Sequence, residues 1–308
     1  MNSAIFEHKE YNFSHILIIG CGDIGARTAQ LWQDEQMPVT GVVRSDSSQQ
    51  DLANMGINTV QFDLDKNEDF DRLPVKNSLI YYLAPPPRSG HVDPRIRRFL
   101  DHVQPDAHPV RLIYMSTSGV YGDVQGGRVT ESTPPAPDSE RGKRRLDAET
   151  AVRDWTEKTG TDHIILRVPG IYGPGRIRVE KVINHEPVLR EEDAPYSNRI
   201  HADDLARICV AAAKKGKPGA IYNTSDGNPS SITRYYQTIA KLLGEDPPPT
   251  ISMEEAEKVM SPMALSFLQE SKRLDNSKML HELEIKLLYP DADAGLRASL
   301  KEMGYIKN

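Results

Sequence analysis

From His15 the chain opens with the apolar run HILIIG, and the following DIGARTAQLWQDEQ carries Ile24, Ala29, Leu31 and Trp32 at helical spacing. Strand, turn and helix are predicted in that order. Short β-rich runs then alternate with helical or irregular segments: VTGVV, LANMGI, TVQFDL, SLIYYLAPPP, PRIRRFLDHV and VRLIYMSTS. A helix from about Gly142 to Lys158, the strand HIILRV, the helix DDLARICVAAAKK and the strand AIYN complete the series. Strands and helices in this order, seven strands in all, predict an α/β fold. Its sheet should be doubly wound, mostly parallel and covered on both faces. Beyond Asn228 the pattern turns mainly helical, broken by the prolines from Pro247 to Pro249.

The first turn carries chemistry. Gly20, Gly22 and Gly25 form G-x-G-x-x-G between strand and helix, the context in which this motif gains meaning. With Asp23 and Ile24 they open the helix, whose free N–H groups and positive dipole end suit a pyrophosphate. An acidic residue about 20 positions on would bond the adenosine ribose of NAD. Here the second strand ends GVVRSD, and Arg44 with Ser45 suits a ribose 2′-phosphate instead, because a guanidinium fork pairs with phosphate. NADP(H) is the preferred cofactor on this reading, with NAD(H) kept open by Asp46.

Composition narrows the remaining classes. A net charge of −6 over 308 residues argues against nucleic acid or an anionic membrane as partner. Two distant cysteines, Cys21 and Cys209, suggest neither a disulfide framework nor a metal site. No run approaches the roughly 18 apolar residues of a membrane span, and a cytoplasmic location is expected. The expected divisions are a loose tail at 1–12, a Rossmann-type dinucleotide-binding domain at 13–173 and 199–227, and a smaller, mainly helical substrate lobe at 174–198 and 228–308.

Further motifs resemble the extended short-chain dehydrogenase/reductases, the family of nucleotide-sugar epimerases, dehydratases and related reductases. They are STSGVYG at Ser116 to Gly122, TESTPPAP at Thr130 to Pro137, LRVPGIYGPG at Leu166 to Gly175, RIHADDLA at Arg199 to Ala206, then Tyr222-Asn223 and YPDADAGL. Together they cover the chain from about His15 to Leu300. The resemblance implies further cofactor contacts at Asp63, Leu64, Ala84, Pro85, Ser116, Pro169 and Gly170.

It also exposes a departure. The family carries a tyrosine and a lysine four apart after the P-x-x-P segment, where this chain reads SERGKRRLDAE. Arg141 takes the tyrosine's place and Arg145 the lysine's, and the stretch resembles an atypical YeeZ-like branch that also lacks the tyrosine. In the family the tyrosine moves a proton at the substrate oxygen, the lysine tunes it and holds the nicotinamide ribose, and a Ser or Thr, here Thr117, bonds the same oxygen. A guanidinium does not give up a proton near neutral pH, so Arg141 stabilises negative charge and Arg145 bonds ribose hydroxyls. Tyr121, Tyr172 and His201 are the candidate proton donors; Arg176, Lys272 and Arg273 are candidate holders of an anionic substrate, with His201 beside them.

Three functions fit. The first is an NADP(H)-dependent oxidoreductase of altered mechanism acting on a small anionic or sugar-like substrate. The others are a nucleotide-sugar epimerase or dehydratase, and a non-catalytic NADP(H)-binding sensor or scaffold. One apolar stripe on each of the helices from Pro94 and Gly142, spent on the sheet, predicts a monomer or weak dimer.

Overall fold

The computed structural model describes residues 12–66, 69–261, 264–265 and 268–307. Nearly all of the tail expected at 1–12 therefore lies outside the described residues. Seven strands form one parallel sheet: β1 (His15–Ile19), β2 (Val39–Val43), β3 (Asn58–Gln61), β4 (Ser78–Tyr82), β5 (Arg111–Thr117), β6 (Asp162–Val168) and β7 (Ile221–Asn223). Their order across the sheet is β7-β6-β5-β4-β1-β2-β3. The order reverses between β1 and β4, the place where open α/β sheets bind ligands.

The continuous apolar runs follow from burial on two faces. Ile16 and Ile18 of β1 join one core with Tyr81 and Ile113, while Leu17 and Ile19 join the opposite core with Ile80, Tyr82 and Leu112. Because successive side chains point to opposite faces, a strand covered on both sides admits no polar alternation. Helices α1 (Asp23–Asp34) and α5 (Ala202–Lys215) cover the first face through Ala29, Trp32, Leu205 and Ile208. On the other lie α3 (Pro94–Asp101) and α4 (Glu140–Thr159), through Ile96, Phe99, Ala148 and Val152. Helix α2 (Asp46–Asn54) connects β2 to β3.

Past the sheet, α6 (Ile232–Leu243) and α7 (Ala292–Glu302) build a separate core with Tyr172, Val179, Val188, Tyr235, Ile239, Leu296 and Leu300. The segment between them does not all go there: Met279, Leu283 and Leu287 pack into the first core, beneath the sheet. Among the described residues four small strand pairs tie these parts together, including Gly170–Tyr172 with Arg199–His201 and Arg128–Val129 with Arg273–Leu274. Pairs of two or three residues leave no periodicity in a sequence, and none was expected from it. Among the described residues no helix is long and apolar enough to cross a membrane, and both cysteines are buried and free.

Candidate functional site

The turn after β1 is shaped for close approach. Gly20 has φ +80°, and a Cβ there would lie 2.5 Å from the Ala84 backbone, so only glycine fits. Gly22 caps α1 without any side-chain bond, and nothing stands within 4 Å of where its Cβ would be. Gly22 thus leaves open space beside the start of α1, the end of the helix that a pyrophosphate would approach.

A cavity of about 290 Å³ continues from this turn, lined by Gly20, Gly22, Arg44, Ser48, Asp63, Leu64, Ala84, Pro85 and Arg95. Ser45 does not line it; its hydroxyl caps α2 through the Ser48 N–H. Asp46, the residue that kept NAD open, accepts a 2.7 Å hydrogen bond from Gln61 Nε2. Ser48 and Arg95 were missed in the sequence because no motif spacing marks them. Arg95 is held by both carboxylate oxygens of Asp65 and by the Pro85 carbonyl.

The second cavity, of about 590 Å³, begins at the end of β5 with Thr117, Ser118 and Gly119. Arg141 stands at its wall because α4 starts against that turn: a Cβ on Gly142 would meet the Gly119 carbonyl at 2.6 Å. Thr117 Oγ1 accepts the Gly119 N–H at 3.2 Å, which leaves its own proton available to a ligand oxygen. Pro169, Gly170, Tyr172 and Arg176 line the same space, with Arg178, Lys181, Arg199 and Lys272. Among the described lining residues the one carboxylate is Glu270, bonded to Lys272 Nζ at 2.7 Å and to Ser139 Oγ at 3.0 Å. Burial depresses the pKa of Arg141, and the Glu270 carboxylate, 3.9 Å from Arg141 Nη2, partly offsets this. Burial likewise lowers Arg199 and Lys181, which lie over the rings of Tyr235 and Tyr236.

Other expected residues are placed elsewhere. Arg145 lines neither cavity; its Nη1 donates to the Met115 carbonyl at 2.8 Å and the Tyr114 hydroxyl at 3.3 Å. Tyr121 is buried, its hydroxyl donates to Asn223 Oδ1 at 2.8 Å, and burial raises its pKa against the lowering effect of Arg167. Ser116 donates to the buried Glu149 at 2.6 Å. His201 caps α5, accepting the Asp203 N–H, and its Nε2 meets Ser299. Arg273 is exposed and donates to the Gly126 carbonyl. Arg176 does line the cavity but also reaches Asp23.

Residues 16–225 match the NAD dependent epimerase/dehydratase family. The chain belongs to that family. Its relatives include protein YeeZ of Escherichia coli K12, 26% identical over 290 residues, with 90% of this chain and 96% of YeeZ covered. The dTDP-glucose 4,6-dehydratase of Mycobacterium tuberculosis H37Rv is 31% identical over 153 residues, 46% of each chain. Among solved structures, a conserved protein of unknown function from Silicibacter pomeroyi superposes with TM-score 0.81 at 26% identity, covering 94% of this chain and 99% of that one. UDP-glucuronic acid 4-epimerase from Bacillus cereus, in complex with NAD, shares the fold with TM-score 0.75 at 20% identity, over 94% and 96% of the two chains. The open α1 N-terminus fits the family's dinucleotide, and the charged wall of the second cavity is where this member's own chemistry must be sought.

Proposed function

We propose that the chain binds NADP(H) along the Gly20–Gly25 turn and oxidises or reduces a small anionic substrate in the cavity over Thr117. The observation that carries this reading is the cavity's charge: Arg141, Arg176, Arg178, Lys181, Arg199 and Lys272 against Glu270 among the described lining residues. Such a wall attracts a carboxylate or phosphate and discriminates against neutral ligands. The dinucleotide, when bound, supplies or accepts hydride. Thr117 donates to the substrate oxygen, and Arg141 stabilises negative charge there or anchors an anionic group. Arg145 fixes the end of β5 through the Met115 carbonyl. Preference for the 2′-phosphate rests on Arg44 in the first cavity and on Asp46 being bonded to Gln61.

A titration of NADPH and NADH by cofactor fluorescence tests the first part. NADPH should bind more tightly, and Arg44→Asp should abolish the difference; tighter NADH in the unaltered protein overturns the preference. NADPH oxidation across a panel of aldehydes and ketones bearing carboxylate or phosphate groups tests the second. Turnover confined to anionic members is expected, and a protein that binds NADPH but turns over nothing is a sensor or scaffold.

A second reading, nucleotide-sugar epimerase or dehydratase, is favoured by the names of several relatives and by cations able to neutralise a diphosphate. Binding of dTDP-glucose or UDP-glucuronic acid with NAD, in preference to the small anions, would favour it.

A further inference from the structure

The exchange of tyrosine for Arg141 leaves the proposed oxidoreductase without a proton donor, since a guanidinium stays charged. The earlier candidates are occupied. Tyr121 is bonded to Asn223, His201 to Ser299 and the Asp203 N–H, and Tyr172 reaches the Asp291 carbonyl at 3.4 Å.

One ionisable pair stands beside Arg141 and the turn after β5. Glu270 and Lys272 are 10% and 5% exposed in their side chains and are joined at 2.7 Å. Glu270 Oε1 faces the start of α4, accepting from Ser139 Oγ at 3.0 Å with Arg141 at 3.9 Å. Its Oε2 takes the Lys272 ammonium and flanks the turn after β5: a methyl placed on Gly119 would lie 3.8 Å from Glu270 Oε2 and 3.6 Å from Thr117 Oγ1. The Lys272 backbone is pinned as well, its carbonyl accepting from the buried Asn198 side chain at 3.0 Å. An ammonium carries three protons and Glu270 takes one, so Lys272 has donors to spend on a ligand in the cavity it lines.

We infer that Lys272 is the proton donor of this site and that Glu270 is its positioning residue, the pair standing in for the absent tyrosine. The inference rests on the proposed oxidoreductase function. As the substrate carbon is reduced, its oxygen gains an electron pair. A new O–H bond forms with a proton from Lys272 Nζ, one N–H bond breaks, and the neutral amine regains a proton from water. In the oxidation direction the amine takes the alcohol proton. Glu270 remains a carboxylate throughout.

The test uses the full chain, NADPH and whichever anionic carbonyl compound the panel shows to be turned over. Lys272→Met should lower kcat by about 10²- to 10⁴-fold, the usual worth of a general acid, with NADPH affinity unchanged; because it strands the buried Glu270 carboxylate it should also melt at a lower temperature, and Lys272→Arg controls for that by keeping the pair. Lys272→Arg is decisive, because it keeps the charge and the Glu270 partner but cannot release a proton. It should lose kcat as severely as the Met variant while KM stays near that of the parent. Glu270→Gln, which changes charge and not shape, should lower kcat with the cofactor still bound. Recovery of kcat in Lys272→Arg, or full kcat in Lys272→Met, overturns the proton assignment and leaves the oxidoreductase reading standing; full kcat in Glu270→Gln overturns the positioning role. A parent protein that binds NADPH and turns over no panel member sinks both that reading and this one.

Discussion

Arg176 Nε donates to Asp23 Oδ2 at 2.5 Å, so a cation lining the cavity over Thr117 is tied to the first residue of α1. Burial works against the Asp23 charge, but hydrogen bonds from Arg176 and Arg27 hold its carboxyl below the usual carboxylate range. A carboxylate at that end of α1 also repels a pyrophosphate. Asp23→Asn should therefore tighten NADPH binding about 2- to 10-fold at low salt, with the gain shrinking as salt screens it. Calorimetric titration at two ionic strengths measures this; weaker binding in Asp23→Asn would contradict it.

Glu149 and Arg167 form a buried pair, 0% and 1% exposed, at 2.7 Å, with Ser116 completing the carboxylate. The Arg167 guanidinium also lies 4.7 Å from the Tyr121 ring. Removing one charge strands the other, at a cost of about 3–5 kcal/mol, whereas replacing both by apolar residues should cost less. Urea denaturation of Arg167→Met, Glu149→Leu and the double variant measures the difference. Single variants as stable as the parent would refute the account.

Burial raises the Asp226 carboxyl from 3.8 to about 7, with Asp291 and Asp204 adding to the rise and the Asn228 N–H and Arg199 opposing it. Its Oδ2 is buried without a hydrogen-bond partner among the described residues. The folded state binds this proton more tightly than the unfolded chain. The stability it contributes is therefore complete below about pH 4 and lost as pH rises through about 7. Relative to Asp226→Asn, the parent should lose on the order of 3–4 kcal/mol at most between those limits. Parallel melting curves for the two proteins across this range would show the expectation wrong.

The faces of α3 and α4 argue for a monomer or at most a weak dimer. Ile96, Phe99 and Leu100 on one, and Ala148, Ala151 and Val152 on the other, are buried within the chain, while Arg97, Thr150, Asp154 and Lys158 are exposed. Asp147 is bonded to Arg97 across the two helices. Light scattering should give a mass near 34.5 kDa; a tight dimer through these helices would refute it.

The sequence by itself determined the seven strands, the glycine turn and the family, because each rests on local properties. Two-sided burial makes a strand continuously apolar, and a phosphate turn needs glycines at fixed spacing within a few residues. Its register also puts Arg141 and Arg145 where the resemblance expects a tyrosine and a lysine. What those arginines face was decided only by tertiary structure. Arg145 is drawn to the Met115 carbonyl of the neighbouring strand, and Arg141 meets the Glu270 carboxylate, which also holds Lys272 and Ser139, the latter 131 positions before it. Glu270 and Lys272 sit in a stretch with no motif, and Tyr121 lies within a motif but is sealed by Asn223. Side-chain direction at a site depends on which distant segment folds over it, and no periodicity along the chain encodes that contact.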